Sequence, residues 1–122
     1  MGYQPARDTL VVVTLPGEID ITNADRAFDR LETTVSSGAA VVIADFTGTY
    51  FCDAAGVRRL VRIRSRAMVR GTQLRLVIPL GGLLRRVLAL LEVDHLLPVY
   101  PSVGQAGVLA PPAAQDPLTL IG

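Results

Sequence analysis

Lysine is absent from this chain, cysteine and histidine each occur once, and no apolar run approaches membrane-spanning length. A phosphate-cradling loop needs a lysine behind a glycine-rich turn, and a dinucleotide fold needs GxGxxG after its first strand, so both nucleotide-binding devices are excluded. The single cysteine, Cys52, cannot form an internal disulfide. With His95 the only imidazole, a metal site would have to be assembled from scattered carboxylates, and none of their spacings suggests it. A membrane-crossing helix needs about 20 apolar residues, so no membrane insertion is expected. No charged segment followed by an apolar run opens the chain, and the expected location is cytoplasmic.

What is present is a chain of 122 residues, half of them hydrophobic. That suffices for one domain with a single core and no metal or disulfide staple. The formal charge is only +1, with all twelve basic residues arginine. The charges are segregated, however: residues 1–53 hold eight acids and three arginines, and residues 54–91 hold nine arginines and no acid. Such a block is ordinarily a solvated helix face. No groove-reading motif accompanies it, so a nucleic acid is not the expected partner; an acidic protein fits better.

Leu10 to Leu15 is rich in β-branched residues and stops at Pro16 and Gly17, the pattern of a buried strand closed by a turn. Residues 1–9 form an edge strand or a frayed terminus. Thr22 or Asn23 caps a helix with Ala24, Ala27, Phe28, Leu31 and Val35 at helical spacing and Asp25 in its first turn; Ser36, Ser37 and Gly38 end it. Ala39 to Ala44, followed by Asp45, is continuously apolar and is the expected sheet centre. Residues 46–53 read as a loop. Ala54 to about Arg70 is a second helix with Val57, Leu60, Val61, Ala67 and Met68 on its apolar face.

Its outer face carries Arg58, Arg62 and Arg66 four residues apart, with Arg59 and Arg70 nearby. No acid within the helix relieves their repulsion, so salt or a partner must. Gly71 ends this helix, and Leu74 to Ile78 is a strand stopped by Pro79. Gly81 and Gly82 precede a short helix from Leu83 to about Leu91 with Arg85 and Arg86 on its polar side. A last strand falls near Leu96, Leu97, Val99 and Tyr100, and Val103 to Leu109 forms a brief terminal helix. Residues 10–109 are thus the domain, and 110–122 a flexible tail. Strands alternating with helices imply an α/β class with a mostly parallel sheet.

The most informative stretch is Phe51 to Val57, which reads FCDAAGV. A helix begins there, and Asp53 supplies its cap. Ala54 and Ala55 occupy the electropositive first turn with no hydroxyl, thiol or acid, so neither can be a nucleophile or accept a phosphate. Cys52 could be activated beside a helix N-terminus, with His95 as a base, but no orienting third group is apparent and a small buried hydrophobe is the simpler role. Glu18 and Asp20 frame Ile19 and are explained by turn and cap chemistry more readily than by cation binding or acid–base work. The Gly81–Gly82 pair is a flexible turn before it is an anion site. Thr47, Thr49 and Tyr50 place three hydroxyls ahead of Ala54, where a displaced modification site remains open.

In this order the motifs resemble the STAS domain, most closely the bacterial anti-sigma factor antagonists. Gly17, Glu18, Ile19 and Asp20 stand in place of that family's GELD, and Phe51 to Val57 in place of FLDSSGL. Arg85 to Leu88, then Leu97 to Tyr100, are similar to its C-terminal part. The resemblance runs from about Leu10 to Val108 and implies a four- or five-stranded mixed sheet flanked by helices. It also implies a non-enzymatic interaction module without cofactors whose partner is a GHKL-type anti-sigma factor and serine kinase. Phosphorylation of the first serine of the pair breaks the family's complex; Ala54 stands at that serine and Ala55 at the second. The implied contact residues are Cys52, Asp53, Ala54, Ala55, Gly56, Arg58, Arg59 and Arg62. The alternatives are a structural subunit of a stressosome-like complex or of a lipid or ABC transporter, and self-association as a homodimer is left open.

Overall fold

A computed structural model describes residues 9–107. The elements run β1 (Leu10–Thr14), β2 (Glu18–Ile19), α1 (Ala24–Ser36), β3 (Val41–Asp45), β4 (Phe51–Cys52), α2 (Ala54–Val69), β5 (Gln73–Val77), α3 (Leu83–Leu90), a 3-10 turn at Asp94–Leu96, β6 (Val99–Tyr100) and α4 (Val103–Gly107). The segments expected to be an edge strand or frayed terminus and a C-terminal tail lie outside the described residues, apart from Thr9.

β1, β3, β5 and β6 form one sheet in that order, and β2 pairs with β4 in a separate two-stranded ladder. Every pairing among the described residues is parallel. The antiparallel component of a mixed sheet is therefore absent from this region, because each main-sheet strand is reached from the last by a crossover containing a helix. β3 is central, as its unbroken apolar sequence requires, and Val41, Val42, Ile43 and Ala44 are all buried.

The alternation of side chains along the strands divides the core in two. Val13, Val42, Ala44, Leu74 and Leu76 pack with Phe28, Leu31 and Val35 of α1 and Val57, Leu60, Ile63 and Ala67 of α2. Val41, Ile43 and Val77 point the other way and meet Ala106 of α4. On that second face lies Arg75, 1% exposed, with its Nε donating to Gln73 Oε1 at 2.8 Å and its Nη1 to the Ala106 carbonyl. A buried guanidinium persists only with acceptors supplied, and here the terminal helix supplies one.

Three local expectations change. Met68 is 60% exposed and Ile63 is the buried residue, because Ile63 falls in line with Leu60 and Ala67 while Met68 is rotated a further ~100° around the axis. Asn23 stands at the N-cap of α1 but makes no side-chain cap bond. Its amide is committed elsewhere, donating to the Glu18 carbonyl at 2.7 Å and accepting from Asp20 N–H at 2.9 Å. Finally, the segment read as loop contains β4.

Candidate functional site

The two-stranded ladder locates the start of α2. Glu18 pairs with Phe51 and Ile19 with Cys52. The Gly17 carbonyl accepts from Tyr50 N–H at 2.8 Å and Phe51 N–H at 3.3 Å, and Ile19 carbonyl accepts from Asp53 N–H at 3.2 Å. Thr49 Oγ1 adds a bond to the Pro16 carbonyl at 2.7 Å. Glycine is required at 17 by crowding: a Cβ there would sit 2.9 Å from Tyr50 Cε2. The GEID turn and the FCDAAGV segment, distant in sequence, are thus one structural unit.

Asp53 caps α2 as its sequence position demands, with Oδ1 accepting from Gly56 N–H at 2.9 Å. The first turn holds no other acid. Ala55 is exposed and Ala54 half-buried, so the helix opens onto the surface with two methyl groups. Beneath them, Gly56 is buried against Cys52; a Cβ at Gly56 would lie 2.7 Å from Sγ.

Cys52 was expected on the contact surface, but it is 3% exposed and forms the floor below that surface. Burial, seconded by the neighbouring Asp53 charge, pushes its thiol up to about 12. It is therefore protonated and a poor nucleophile at neutral pH. His95 is exposed, with its nearest carboxylate Asp94 at 4.0 Å. No group of three or more metal-ligating side chains occurs among the described residues.

The arginines of α2 divide into two sets. Arg59 reaches across to α1, with Nη1 2.6 Å from Asp25 Oδ1 and Nη2 2.5 Å from Glu32 Oε2, and its guanidinium lies 5.7 Å from the Phe28 ring centroid. Its hydrogen bond to Glu32, more than the Asp25 contact, holds its pKa above the ordinary arginine value despite opposing desolvation. Arg66 joins the same carboxylate at 2.8 Å. The repulsion expected to require salt or a partner is thus relieved within the fold, and Arg59 is committed to α1 rather than free for a partner. Asp25 and Glu32 are seven residues apart, two turns along one helix face, a spacing that could have signalled this role. Arg58 and Arg62 remain exposed without an acidic partner among the described residues.

The other hydroxyls and acids are largely occupied by turns. Thr47 Oγ1 and N–H both bond Asp45 Oδ1, at 2.7 and 2.9 Å. Thr22 does the same to Asp20 Oδ1 at 2.5 and 2.9 Å, and the hydroxyl bond leads in lowering the Asp20 pKa. These are the turn roles expected for Asp20 and its neighbours. Tyr50 is 65% exposed, and around it Phe51 and Ile21 also present apolar surface.

No helix among the described residues is long and apolar enough to cross a membrane. A family model described as the STAS domain matches residues 4–106. Among solved structures, the chain is similar to the anti-sigma factor antagonist SpoIIAA in its unphosphorylated form, at 17% identity and a TM-score of 0.65, covering 84% of this chain and 93% of that one. It is also similar to the Bacillus cell fate determinant SpoIIAA in the phosphorylated form, at 18% identity and a TM-score of 0.58, covering 85% and 92%. No curated protein sequence matches it.

Proposed function

Because the chain belongs to the STAS domain family, we propose that it is a non-catalytic interaction module that binds a GHKL-type anti-sigma factor through the start of α2 and is not switched off by phosphorylation there. The observation that carries this reading is the Ala54–Ala55 step: it opens onto the surface above a preserved Asp53 cap, yet offers no oxygen to a kinase. The likeness in fold to an anti-sigma factor antagonist supports the partner class. In this reading Ala54 and Ala55 permit close backbone approach, Gly56 and Cys52 support them from below, and Arg58 and Arg62 meet acidic groups opposite.

A phosphate at residue 54 would bring nearly two negative charges to this neutral step, enough to oppose an acidic or nucleotide-bearing surface. The chain is accordingly held in the binding-competent form in the cytoplasm, with regulation left to its abundance or to the partner. The test is titration of a kinase-like anti-sigma factor from the same organism with wild type and Ala54→Asp. Wild type binds in the presence of ATP, and the acidic variant does not. Mass spectrometry after incubation with that kinase should find the Phe46–Val57 peptide unmodified; phosphate on Thr47, Thr49 or Tyr50 would refute constitutive action.

A further inference from the structure

The third crossover helix is apolar on both sides. Leu84 and Leu88 of α3 are buried in the core, yet Leu83 and Leu90 on the opposite side are 51% and 75% exposed, and Leu80 just ahead of the helix is 73% exposed. At helical spacing, Leu83, Arg86 and Leu90 fall within about 60° of one another around the axis. A helix apolar on all sides belongs in an interior, so this outer face lacks a cover. Arg86 is exposed at its centre, with no carboxylate partner among the described residues.

The charge identifies what covers it. In a two-fold arrangement of two copies, the best apolar match sets Leu83 of one α3 against Leu90 of the other. The axis then passes beside Arg86 and brings the two guanidinium groups together, while the chain holds no acid from Ala54 to Leu91 to separate them. A second copy is therefore opposed by its own charge. A different protein with an acid at that point is not. The face is also continuous with the start of α2, because α3 packs against β4, the strand that leads directly into Asp53.

We propose that the outer face of α3 is a second docking surface, filled by an amphipathic segment of the anti-sigma partner in which two apolar side chains flank a carboxylate that meets Arg86. This rests on the partner proposed above. It makes binding two-footed, with one contact at the Ala54–Ala55 step and the other on α3.

The experiment is a binding titration of the kinase-like anti-sigma factor against wild type, Leu83→Ser/Leu90→Ser, Arg86→Glu and Ala54→Asp, with thermal melting and light scattering of each variant. The α3 substitutions are at exposed positions and should leave melting unchanged while weakening binding about tenfold or more. If Ala54→Asp abolishes binding and both α3 variants bind within about twofold of wild type, the α3 surface is overturned and the docking role of α2 stands. Failure of wild type to bind would overturn both. A wild-type dimer that Leu83→Ser/Leu90→Ser dissociates would assign the face to a second copy and overturn the proposal.

Discussion

Replacing Arg59 with alanine separates a structural arginine from a docking one. The Arg59 side chain is 22% exposed and Glu32 25%, so their bond is partly shielded, whereas Asp25 is fully exposed and adds little. Loss of the Glu32 bond is worth about 1 kcal/mol, and loss of the Phe28 cation–π contact with the packed aliphatic stem about another 1 kcal/mol. Arg59→Ala should therefore destabilise the fold by about 2 kcal/mol, a fall in Tm of roughly 8 °C for a chain of this size. Arg62→Ala, on the exposed face, should stay within about 0.5 kcal/mol. Urea denaturation followed by circular dichroism measures both, and a double-mutant cycle with Glu32→Ala should return a coupling of about 1 kcal/mol that shrinks in high salt. In the binding titration the order reverses, with Arg62→Ala the weaker binder. If Arg59→Ala melts with wild type, or if its cycle with Glu32→Ala is additive, the bridge between α1 and α2 is not a stabilising element and the assignment of Arg59 is wrong.

Removing the cap by Asp53→Ala should cost about 1 kcal/mol in a urea titration, with Asp53→Asn retaining most of it because an amide oxygen can still accept from Gly56 N–H. Gly56→Ala should destabilise by about 1–3 kcal/mol through its clash with Cys52 Sγ, and calorimetry of the double variant with Cys52→Ala should recover much of that loss. The Cys52 thiol holds its proton more tightly folded than unfolded, so its contribution is constant at low pH and declines once pH exceeds the ordinary thiol value of 9.0. Wild type should thus lose up to about 1.4 kcal/mol per pH unit more than Cys52→Ala above that value. Urea midpoints of both proteins between about pH 8 and 10 measure the difference, and parallel curves would refute the burial argument.

The elements dominated by periodicity were legible in the chain itself. β3 was visible as an uninterrupted apolar run, α1 in the spacing of Phe28, Leu31 and Val35, and the stop after α2 in Gly71, whose φ is +77°. What escaped were features fixed by partners remote in sequence. The two-residue strands β2 and β4 are too short to show alternation and exist only because they meet each other. The pairing of Arg59 with Glu32 depends on how two helices lie side by side, and the burial of Arg75 on a carbonyl of α4. At the site, the Asp53 cap and the exposed methyl step followed from local rules, but the inward position of Cys52 followed from the pairing of its strand with Ile19.

That pairing makes two separate stretches of chain answer as one. The amide of the residue capping α2 is held by Ile19, and the turn after Ile19 presents the exposed Ile21. A protein that pressed on Ile21 would be leaning on the same girder that carries the helix mouth. Contact at either point is therefore felt at both, without any hinge having to move between them.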